Sequence, residues 1–401
     1  MPWRRPKKQV ERPIDVRRSL EESLESAAEG EEEEDLVEVA DLDGASIAEA
    51  ATGEADAERT PTEIADKLRE TLAGAVITEV RAVTRAPAET LPEHGVDLSV
   101  EAARGLWLKN PVLTASGTFG QGTEYAELID VGRLGAIVNK GTTPRARPGN
   151  RQYRIAETPA GILNSIGLEN PGAEEVARKY GPLWAKLGVP VIVNVAGYSV
   201  ADYVFVVEVL DGTPGVIAFE LNVSCPNVEG GMLFGSDPGL AAGVTRAVKD
   251  TTDKPVIVKL TPNAPEDVVA VARACEEAGA DALTAINTVL GMRIDVARRR
   301  PVLGTGTGGL SGPAIRPIAV HMTYQVARAV SIPIIGAGGV TSADDALEFL
   351  MAGASAVQVG TATFADPTAP LSVIEGLAAY VREHGLASIR DIIGAARPSP
   401  E

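Results

Sequence analysis

Residues 334–362 read IIGAGGVTSADDALEFLMAGASAVQVGTA and contain a complete strand–helix–strand unit. The apolar runs Ile334–Gly336 and Ala356–Val359 have the length of buried strands, and the amphipathic segment Ser342–Ala352 between them predicts a helix. The same alternation extends back toward residue 110. Six further strands are predicted, at Val112–Thr114, Ala136–Asn139, Val191–Val195, Val216–Asn222, Val256–Leu260 and Ala282–Ile286.

Helical patterns separate most of these strands, for example at Ala173–Leu187, Pro265–Ala278 and Ile315–Val330. Eight strands that alternate with helices over roughly 300 residues predict an α/β fold of the (β/α)₈ TIM-barrel type. An open, doubly wound sheet is the alternative. We favour the barrel because polar residues follow nearly every strand, and a barrel places its active site at the carboxyl ends of its strands.

The chain is acidic and poor in cysteine. Its 401 residues carry a formal charge of −18, which repels nucleic acid and anionic lipid, so neither is an expected partner. The sequence has no apolar run of about 18 residues that would predict a membrane span. The basic segment Met1–Arg12 is not followed by an apolar stretch, so it predicts no secretory signal. Two cysteines give no disulfide framework, and we expect a reducing cytoplasm.

The first 92 residues differ in composition from the rest. Residues 1–93 contain 24 acidic and 12 basic side chains, and Glu31–Asp35 is an unbroken acidic run. Such a segment buries too little apolar surface to offset its ordering entropy, so residues 1–92 are predicted to be a mostly disordered extension of a barrel domain at 93–401. A capping box at Thr60–Glu63 predicts one helix, at 61–84. That helix would pack on its own barrel or dock on a partner.

Polar side chains follow the predicted strands in succession, and asparagine recurs among them. One asparagine at a strand end would indicate only a turn, but several indicate a binding site. Asparagine offers two donors and an acceptor without charge, which suits a flat heterocycle such as a pyrimidine dione or a flavin ring. A nearby lysine stabilises negative charge on a carboxylate or on a reduced flavin. The candidates are Asn164, Asn194, Asn222, Asn227, Asn287, Lys140, Lys259 and Cys225.

The last two strands end in glycine-rich turns. Gly338-Gly339 precedes a predicted helix, and Gly360-Thr361 precedes the final helical region. Glycine lets backbone N–H groups approach an anion, and barrels often bind phosphate after strands seven and eight, so these turns predict a phosphate site. The run Gly304–Gly309 matches G-x-G-x-x-G, but no clear strand precedes it and no acidic residue follows at the right distance. We interpret it as a mobile loop near the site.

The two cysteines have different surroundings. Cys275 lies within an apolar helical pattern, which is typical of a small buried side chain. Cys225 lies between polar residues at a strand end, where a thiol can act as a base once deprotonated. No histidine accompanies it, because His94, His321 and His384 all lie away from the strand ends. A Cys–His hydrolase is therefore not favoured.

Together these motifs resemble the dihydroorotate dehydrogenase family over roughly residues 95–395, and within it the NAD-linked type 1B. Cys225 argues against the membrane-bound type 2, which has serine at this position. The fumarate-using type 1A also has cysteine but looks different around Lys140. The segments that carry the type 1B resemblance are Lys140–Thr143, Asn164–Leu168, Asn170–Gly172, Gly230–Gly231 through Phe234–Gly235, Gly291–Met292, Ile294–Asp295 and Gly308–Ile315.

The resemblance implies a role for each candidate. Cys225 would remove a proton from C5 of dihydroorotate while hydride leaves C6 for N5 of FMN. Lys140 would lie between flavin and substrate, and Lys259 would stabilise the reduced flavin. The implied substrate contacts are Lys140, Asn164, Ile166, Gly167, Leu168, Asn222, Asn227, Asn287 and Thr288. The implied FMN contacts are Ser116, Lys140, Gly141, Asn194, Asn222, Lys259, Ile286 and Gly312, with Gly338, Gly339, Gly360 and Thr361 at the phosphate.

Type 1B enzymes pass electrons to a second subunit that carries FAD and a [2Fe–2S] cluster and reduces NAD⁺. Two cysteines are too few to hold that cluster here, so the resemblance implies a partner and a heterotetramer built on a catalytic homodimer. No metal site is expected on this chain. The alternative enzymes are a dihydropyrimidine dehydrogenase acting on dihydrouracil and a type 1A enzyme. A barrel that binds flavin or phosphate without turnover is a further alternative.

Overall fold

The computed structural model describes Thr60, Glu63 and residues 95–224, 234–263 and 268–397. Backbone contacts divide the chain into Met1–Glu58 and Arg59–Glu401, and everything described below belongs to the second unit. The predicted disordered extension and most of the predicted helix at 61–84 lie outside the described residues. Within that helix prediction, the capping box is present: the Glu63 amide donates to Thr60 Oγ1 at 3.4 Å, and the Thr60 amide donates to Glu63 Oε2 at 2.8 Å.

Strands and helices alternate along the described chain. The strands are β1 (Val100–Ala103), β2 (Leu106–Leu108), β3 (Val112–Thr114), β4 (Ile137–Val138), β5 (Arg145–Arg147), β6 (Ile155–Thr158), β7 (Gly161–Asn164), β8 (Asn170–Gly172), β9 (Val191–Val195), β10 (Val216–Asn222), β11 (Val256–Lys259), β12 (Ala282–Ala285), β13 (Val289–Gly291), β14 (Ile294–Asp295), β15 (Arg300–Pro301), β16 (Gly308–Ser311), β17 (Ile334–Ala337) and β18 (Ala356–Val359). The α-helices are α1 (Ala173–Trp184), α2 (Val200–Leu210), α3 (Pro238–Lys249), α4 (Val268–Glu277), α5 (Arg316–Ala327), α6 (Ala343–Ala352), α7 (Ala362–Ala365) and α8 (Ala369–Glu383).

Eight of these strands form one parallel sheet that closes on itself. Neighbours are hydrogen-bonded in the order β3-β18-β17-β12-β11-β10-β9-β4. The two end strands meet, because Leu113 bridges Ala136 in parallel and the Gly135 amide donates to Val112 O at 2.9 Å. The predicted (β/α)₈ barrel is therefore confirmed. All eight predicted strands are present, and four of them, β3, β9, β10 and β18, have the predicted bounds.

Branched aliphatic residues fill the barrel wall. All five residues of β9 are buried, as are the first six of β10. Near-continuous apolar runs of this kind are typical of parallel strands covered on both faces.

The hairpin of β1 and β2 contacts β12, β17 and β18, and the Arg104 amide donates to Asp281 O at 2.9 Å, directly before β12. The hairpin thus packs at the amino ends of the strands, opposite the predicted site.

The predicted helices are present as α1, α4, α5 and α6; α1, α5 and α6 are shorter than predicted, and the first three residues of the helix predicted at Pro265–Ala278 lie outside the described ranges. Helix α6 begins with a capping box between Ser342 and Asp345 and ends at Gly353, which has φ of 120°. The connection between β3 and β4 contains only a 3₁₀ helix, at Val131–Arg133. None of the helices in the described ranges combines the length and apolar character needed to cross a lipid bilayer.

Cys275 lies on α4 with its side chain fully buried, as the sequence predicts. Burial raises the pKa of its thiol to about 12, against a smaller opposing effect from a hydrogen bond with Thr245. A thiol in these surroundings stays protonated and unreactive.

A four-stranded antiparallel sheet was not predicted. Its order is β13-β16-β7-β6, and its strands come from the segments that follow β4 and β12. The expectation of a mobile glycine-rich loop at Gly304–Gly309 is wrong for its last two residues, because both belong to β16: Gly308 pairs with β13, and Gly309 pairs with β13 and β7. We name this sheet the rim sheet, since β7 and β13 carry or adjoin the predicted substrate residues.

Candidate active site

Lys259, the last residue of β11, lies inside the barrel with its side chain only 5% exposed. Its Nζ is 3.1 Å from Gln358 Oε1 and 3.2 Å from Ser116 Oγ, and it forms an ion pair with Glu220 Oε1 at 3.5 Å. The structure therefore brings together two predicted cofactor residues, Lys259 and Ser116, from opposite parts of the sequence. A buried ammonium with an anionic partner retains its charge far better than a solitary one.

Glu220 is fully buried in β10 and was missed by sequence reasoning. Besides Lys259, three side chains donate to its carboxylate: Asn194 Nδ2 at 2.7 Å, Thr284 Oγ1 at 2.8 Å and Gln358 Nε2 at 2.5 Å. The signal that could have revealed it is a carboxylate within the apolar run VIAFELN. A buried charge without partners is so costly that this pattern alone indicates an internal polar network.

Asn194 connects this network to the open end of the barrel. Its backbone amide donates to Asn139 Oδ1 at 2.7 Å, and its Nδ2 donates to Glu220. Its Oδ1 is buried and has no hydrogen-bond partner among the described residues. That oxygen lies beside Gly141, where an added Cβ would be only 3.0 Å away. An unused acceptor next to a glycine is suited to an N–H group of a planar ligand.

Lys140 and Gly141 follow β4. The Lys140 amide donates to Gly120 O at 2.8 Å, and its Nζ is 3.8 Å from Glu169 Oε2. Glu169 also accepts from Arg154 Nη2 at 2.7 Å. The side chain of Lys140 is partly exposed, in contrast to that of Lys259. The two predicted lysines therefore occupy different environments, one buried in the barrel and one in a surface ion-pair group.

The segment Ile166–Leu168 lies close to Gly141. Leu168 Cδ2 would be 3.5 Å from a Cβ on Gly141, and the Leu168 carbonyl accepts from Asn170 Nδ2 at 2.7 Å. Asn170 also donates to Thr143 Oγ1 at 2.7 Å. Gly167 and Leu168 have φ of 78° and 56°, a left-handed backbone that is unusual for leucine. Asn170 thus fixes this predicted substrate segment against the turn after β4.

Four predicted substrate residues form a connected group that includes contacts with Gly309 of the rim sheet. Asn287 Nδ2 donates to Asn222 Oδ1 at 3.1 Å, and the Thr288 amide donates to Asn287 Oδ1 at 2.8 Å. Asn164 Nδ2 donates to Gly309 O at 3.2 Å. A Cβ on Gly309 would be 2.1 Å from Thr288 Oγ1, so only glycine fits between these groups. The rim sheet therefore holds Asn164 and Thr288 together, although they belong to different strand–helix units.

The predicted phosphate turns also converge. Gly312 and Gly339 have φ of 92° and 80°, and a Cβ on Gly339 would be 2.9 Å from Gly312 O. Thr361 Oγ1 donates to Ser311 Oγ at 2.8 Å. Gly338 packs against Ala319, and Gly360 against Ala115. Three glycine-containing segments thus lie against one another, as an anion-binding cradle built from backbone N–H groups requires.

Three predicted site residues remain, namely Ile286, Cys225 and Asn227. Ile286 is buried at the end of β12, where its amide donates to Ala337 O at 2.9 Å. Cys225 and Asn227 lie outside the described residues. No group of histidine, cysteine, aspartate and glutamate that could hold a metal ion occurs in the part of the chain that the structure describes.

These features define a closed (β/α)₈ barrel whose strand ends carry a buried lysine, an amide-rich rim and a glycine cradle. A family model described as dihydroorotate dehydrogenase matches residues 98–381. With more than half of its length matched, this chain belongs to the dihydroorotate dehydrogenase family.

Two relatives illustrate the similarity. A protein of Geobacillus kaustophilus (strain HTA426) is 54% identical over 291 residues, which cover 72% of this chain and 93% of the relative. A protein of Geotalea uraniireducens (strain Rf4) is 51% identical over 300 residues, 75% of this chain and 98% of the relative. Each is named dihydroorotate dehydrogenase B (NAD(+)), catalytic subunit. The recognition of the type 1B family from sequence motifs is confirmed.

Proposed function

We propose that this chain is the catalytic subunit of an NAD-linked dihydroorotate dehydrogenase and oxidises dihydroorotate to orotate in pyrimidine biosynthesis. The observation that carries the proposal is the connected group of Asn164, Asn222, Asn287 and Thr288, in which Asn222 pairs in the barrel sheet with the buried Lys259. Uncharged amide groups match the alternating carbonyl and N–H groups of a pyrimidine dione. The name shared by relatives at about 50% identity agrees with this substrate.

Two observations of this chain support FMN as the cofactor at the carboxyl ends of the barrel strands. The unpartnered Asn194 Oδ1 can accept a ring N–H, and the glycine cradle at Gly312, Gly339 and Gly360 can receive a phosphate. Ser116, Gly141, Asn222, Lys259 and Ile286 would complete the site, with Lys140, Gly338 and Thr361. FMN, when bound, supplies an acceptor for the hydride that leaves C6 of the substrate. Lys259 contributes a positive charge where the cofactor becomes negative on reduction.

The protein's own residues would bind the substrate and take its proton. Asn164, Asn222, Asn227, Asn287 and Thr288 would hold the pyrimidine ring, with Lys140 and the backbone of Ile166, Gly167 and Leu168. Cys225 would act as the base that removes the proton from C5, since a thiolate is the one strong proton acceptor that the motif supplies. Holding the ring by several fixed amide groups orients C5 and C6 before proton and hydride leave.

We infer that the electrons then leave through a second protein. The whole chain has two cysteines, whereas a [2Fe–2S] cluster takes four ligands, so the cluster and FAD would reside on a partner subunit. The term catalytic subunit in the relatives' names supports such a partner. The proposed assembly is a homodimer of this chain with two electron-transfer subunits, in the cytoplasm.

The test is an anaerobic titration of the FMN-loaded chain with either dihydroorotate or dihydrouracil. Dihydroorotate should bleach the flavin absorbance stoichiometrically, and dihydrouracil should leave it unchanged. Bleaching by dihydrouracil alone would replace the proposal with the dihydropyrimidine dehydrogenase alternative. Reoxidation by fumarate without a partner would indicate the type 1A enzyme. Isolation of a co-purifying, iron-containing protein would support the NAD-linked assembly.

Gly339→Ala should weaken FMN binding about ten-fold or more. The added methyl group would be 2.7 Å from Arg316 Cβ and 2.9 Å from Gly312 O, so the cradle must open. Fluorescence titration of the apoprotein with FMN measures the effect. Gly306→Ala is the matched control, since Gly306 has the same φ of 80° but no atom within 4 Å of the new Cβ. Equal affinities in the two variants would contradict the cradle.

We also propose that residues 1–92 are an extension dispensable for catalysis. The family match begins at residue 98, and relatives covered over 98% of their length match only 75% of this chain. Deletion of residues 1–55 should leave FMN content and turnover unchanged. Gel filtration and steady-state assays of the truncated chain test this, and a loss of FMN would assign the extension a role in the barrel.

A further inference from the structure

We propose that Glu220 is a positioning residue that fixes both the orientation of Asn194 and the charge balance of Lys259 toward the cofactor. The inference deepens the proposed function and rests on its assignment of FMN to the carboxyl ends of the barrel strands. Glu220 itself is fully buried, and the four side chains that donate to it belong neither to the rim sheet nor to the glycine cradle. Its effect on the cofactor would therefore pass through its two neighbours.

The orientation of Asn194 follows from the chemistry of Glu220. An ionised carboxylate only accepts hydrogen bonds, so the side-chain atom of Asn194 at 2.7 Å from it must be the NH₂ group. The oxygen of the same amide then points to the opposite side, where it is buried and unpartnered. An asparagine alone could present either atom to a ligand. Glu220 thus ensures that Asn194 presents its side-chain oxygen, a hydrogen-bond acceptor, toward the proposed cofactor.

The other donors to Glu220 strengthen this selection. Thr284 and Gln358 occupy Oε2, while Asn194 and Lys259 share Oε1. Gln358 in turn accepts from Lys259 through its Oε1, which fixes the orientation of the Gln358 amide as well. All four donor side chains therefore depend on the carboxylate of Glu220, which can only accept hydrogen bonds. A neutral amide at position 220 would place an NH₂ group against at least one of these donors.

Glu220 also balances the charge of Lys259, separately from its hydrogen bond to Asn194. Lys259 and Glu220 form a neutral pair inside the barrel, with 5% and 0% exposure of their side chains. In such low-dielectric surroundings, removing the negative member leaves a net positive charge that favours an anionic ligand. Glu220 thus limits how strongly Lys259 favours the reduced, anionic form of the cofactor over the oxidised form.

Glu220→Gln separates these effects from catalysis. Dissociation constants of oxidised and reduced FMN are measured on the apoprotein, together with the two-electron midpoint potential. Oxidised FMN should bind about ten-fold more weakly, because the Asn194 acceptor is no longer fixed. The preference for reduced over oxidised FMN should increase about ten-fold, which corresponds to a midpoint potential about 30 mV higher.

Glu220→Asp is the second variant and retains the charge. Its shorter side chain cannot reach Asn194 as before, so oxidised FMN should bind more weakly while the preference for reduced FMN stays near that of the unmodified protein. Thr245→Val is the matched control, because it removes a fully buried hydroxyl that donates to Ala241 O at 2.8 Å on α3, outside the Glu220 network, and it removes no charge. It should lower thermal stability with the FMN preference unchanged.

The outcomes distinguish this inference from the proposed function. If the unmodified apoprotein does not bind FMN, the proposed function fails. Suppose that the unmodified protein binds FMN and that the dissociation constants of both Glu220 variants lie within two-fold of those of the unmodified protein. Glu220 then has only a structural role, and the inference is overturned. Should Glu220→Gln fail to fold, the dissociation constants of Glu220→Asp still decide the question of Asn194 orientation.

Discussion

Cys225→Ala is expected to slow the reduction of bound FMN by dihydroorotate by about 10²–10⁴-fold, the range that a positioned general base contributes. The expected cause is the loss of the group that takes the C5 proton, since neighbouring asparagines cannot accept a proton at neutral pH. FMN content and dihydroorotate affinity should change little. Anaerobic stopped-flow measurement of the flavin absorbance resolves the chemical step from binding.

Cys275→Ala provides the matched control for this experiment. It removes the other thiol of the chain, whose pKa is raised by burial to about 12 and which lies within α4. Its flavin reduction rate should equal that of the unmodified protein, with at most a loss of stability from the small cavity. Equal rates in Cys225→Ala and the unmodified protein would remove Cys225 from the mechanism.

Lys259→Met is expected to lower the free energy of unfolding by about 3–5 kcal/mol, because removing one member of a buried pair leaves an uncompensated charge. The remaining charge would be that of Glu220, which is fully buried. FMN affinity should fall as well, since the neutral Lys259–Glu220 pair would be replaced by a negative charge. Urea denaturation of the apoprotein measures the stability, and FMN titration measures the binding.

The double variant Lys259→Met with Glu220→Gln should recover most of the lost stability, because both charges are then absent. Lys254→Met is the control for a lysine whose ion pair is more exposed, with Asp211 Oδ1 at 3.2 Å and 27% of the side chain accessible. That change should cost about 1 kcal/mol or less. A similar cost for both lysines would contradict the view that Lys259 and Glu220 form an essential internal pair.

The barrel could be predicted because each strand–helix unit has a local pattern. Apolar runs such as Val191–Val195 and Val216–Asn222 are buried on both faces, so their composition alone sets their bounds. The rim residues could be predicted because they follow these runs directly in the sequence. The connection from β3 to β4 differs from the alternation of strands and α-helices because it contains a 3₁₀ helix and no α-helix.

The rim sheet and the Glu220 network could not be predicted, because both depend on contacts between distant parts of the chain. Asn164 and Gly309 are 145 residues apart, and β7 and β16 have four residues each, too few for a clear alternation of apolar and polar positions. Glu220 has partners 26, 39, 64 and 138 residues away. A local pattern cannot indicate which of these side chains meet.

The pairing of β7 with β16 has a consequence for how substrate choice can change. Asn164 and Thr288 lie on loops of two different strand–helix units, but backbone hydrogen bonds and Gly309 join them. If only one of the two loops were exchanged for that of a relative, either β7 or β16 would lose the strand with which it pairs. Recombination that changes substrate choice, in evolution or in the laboratory, should therefore succeed when both loops come from the same parent protein.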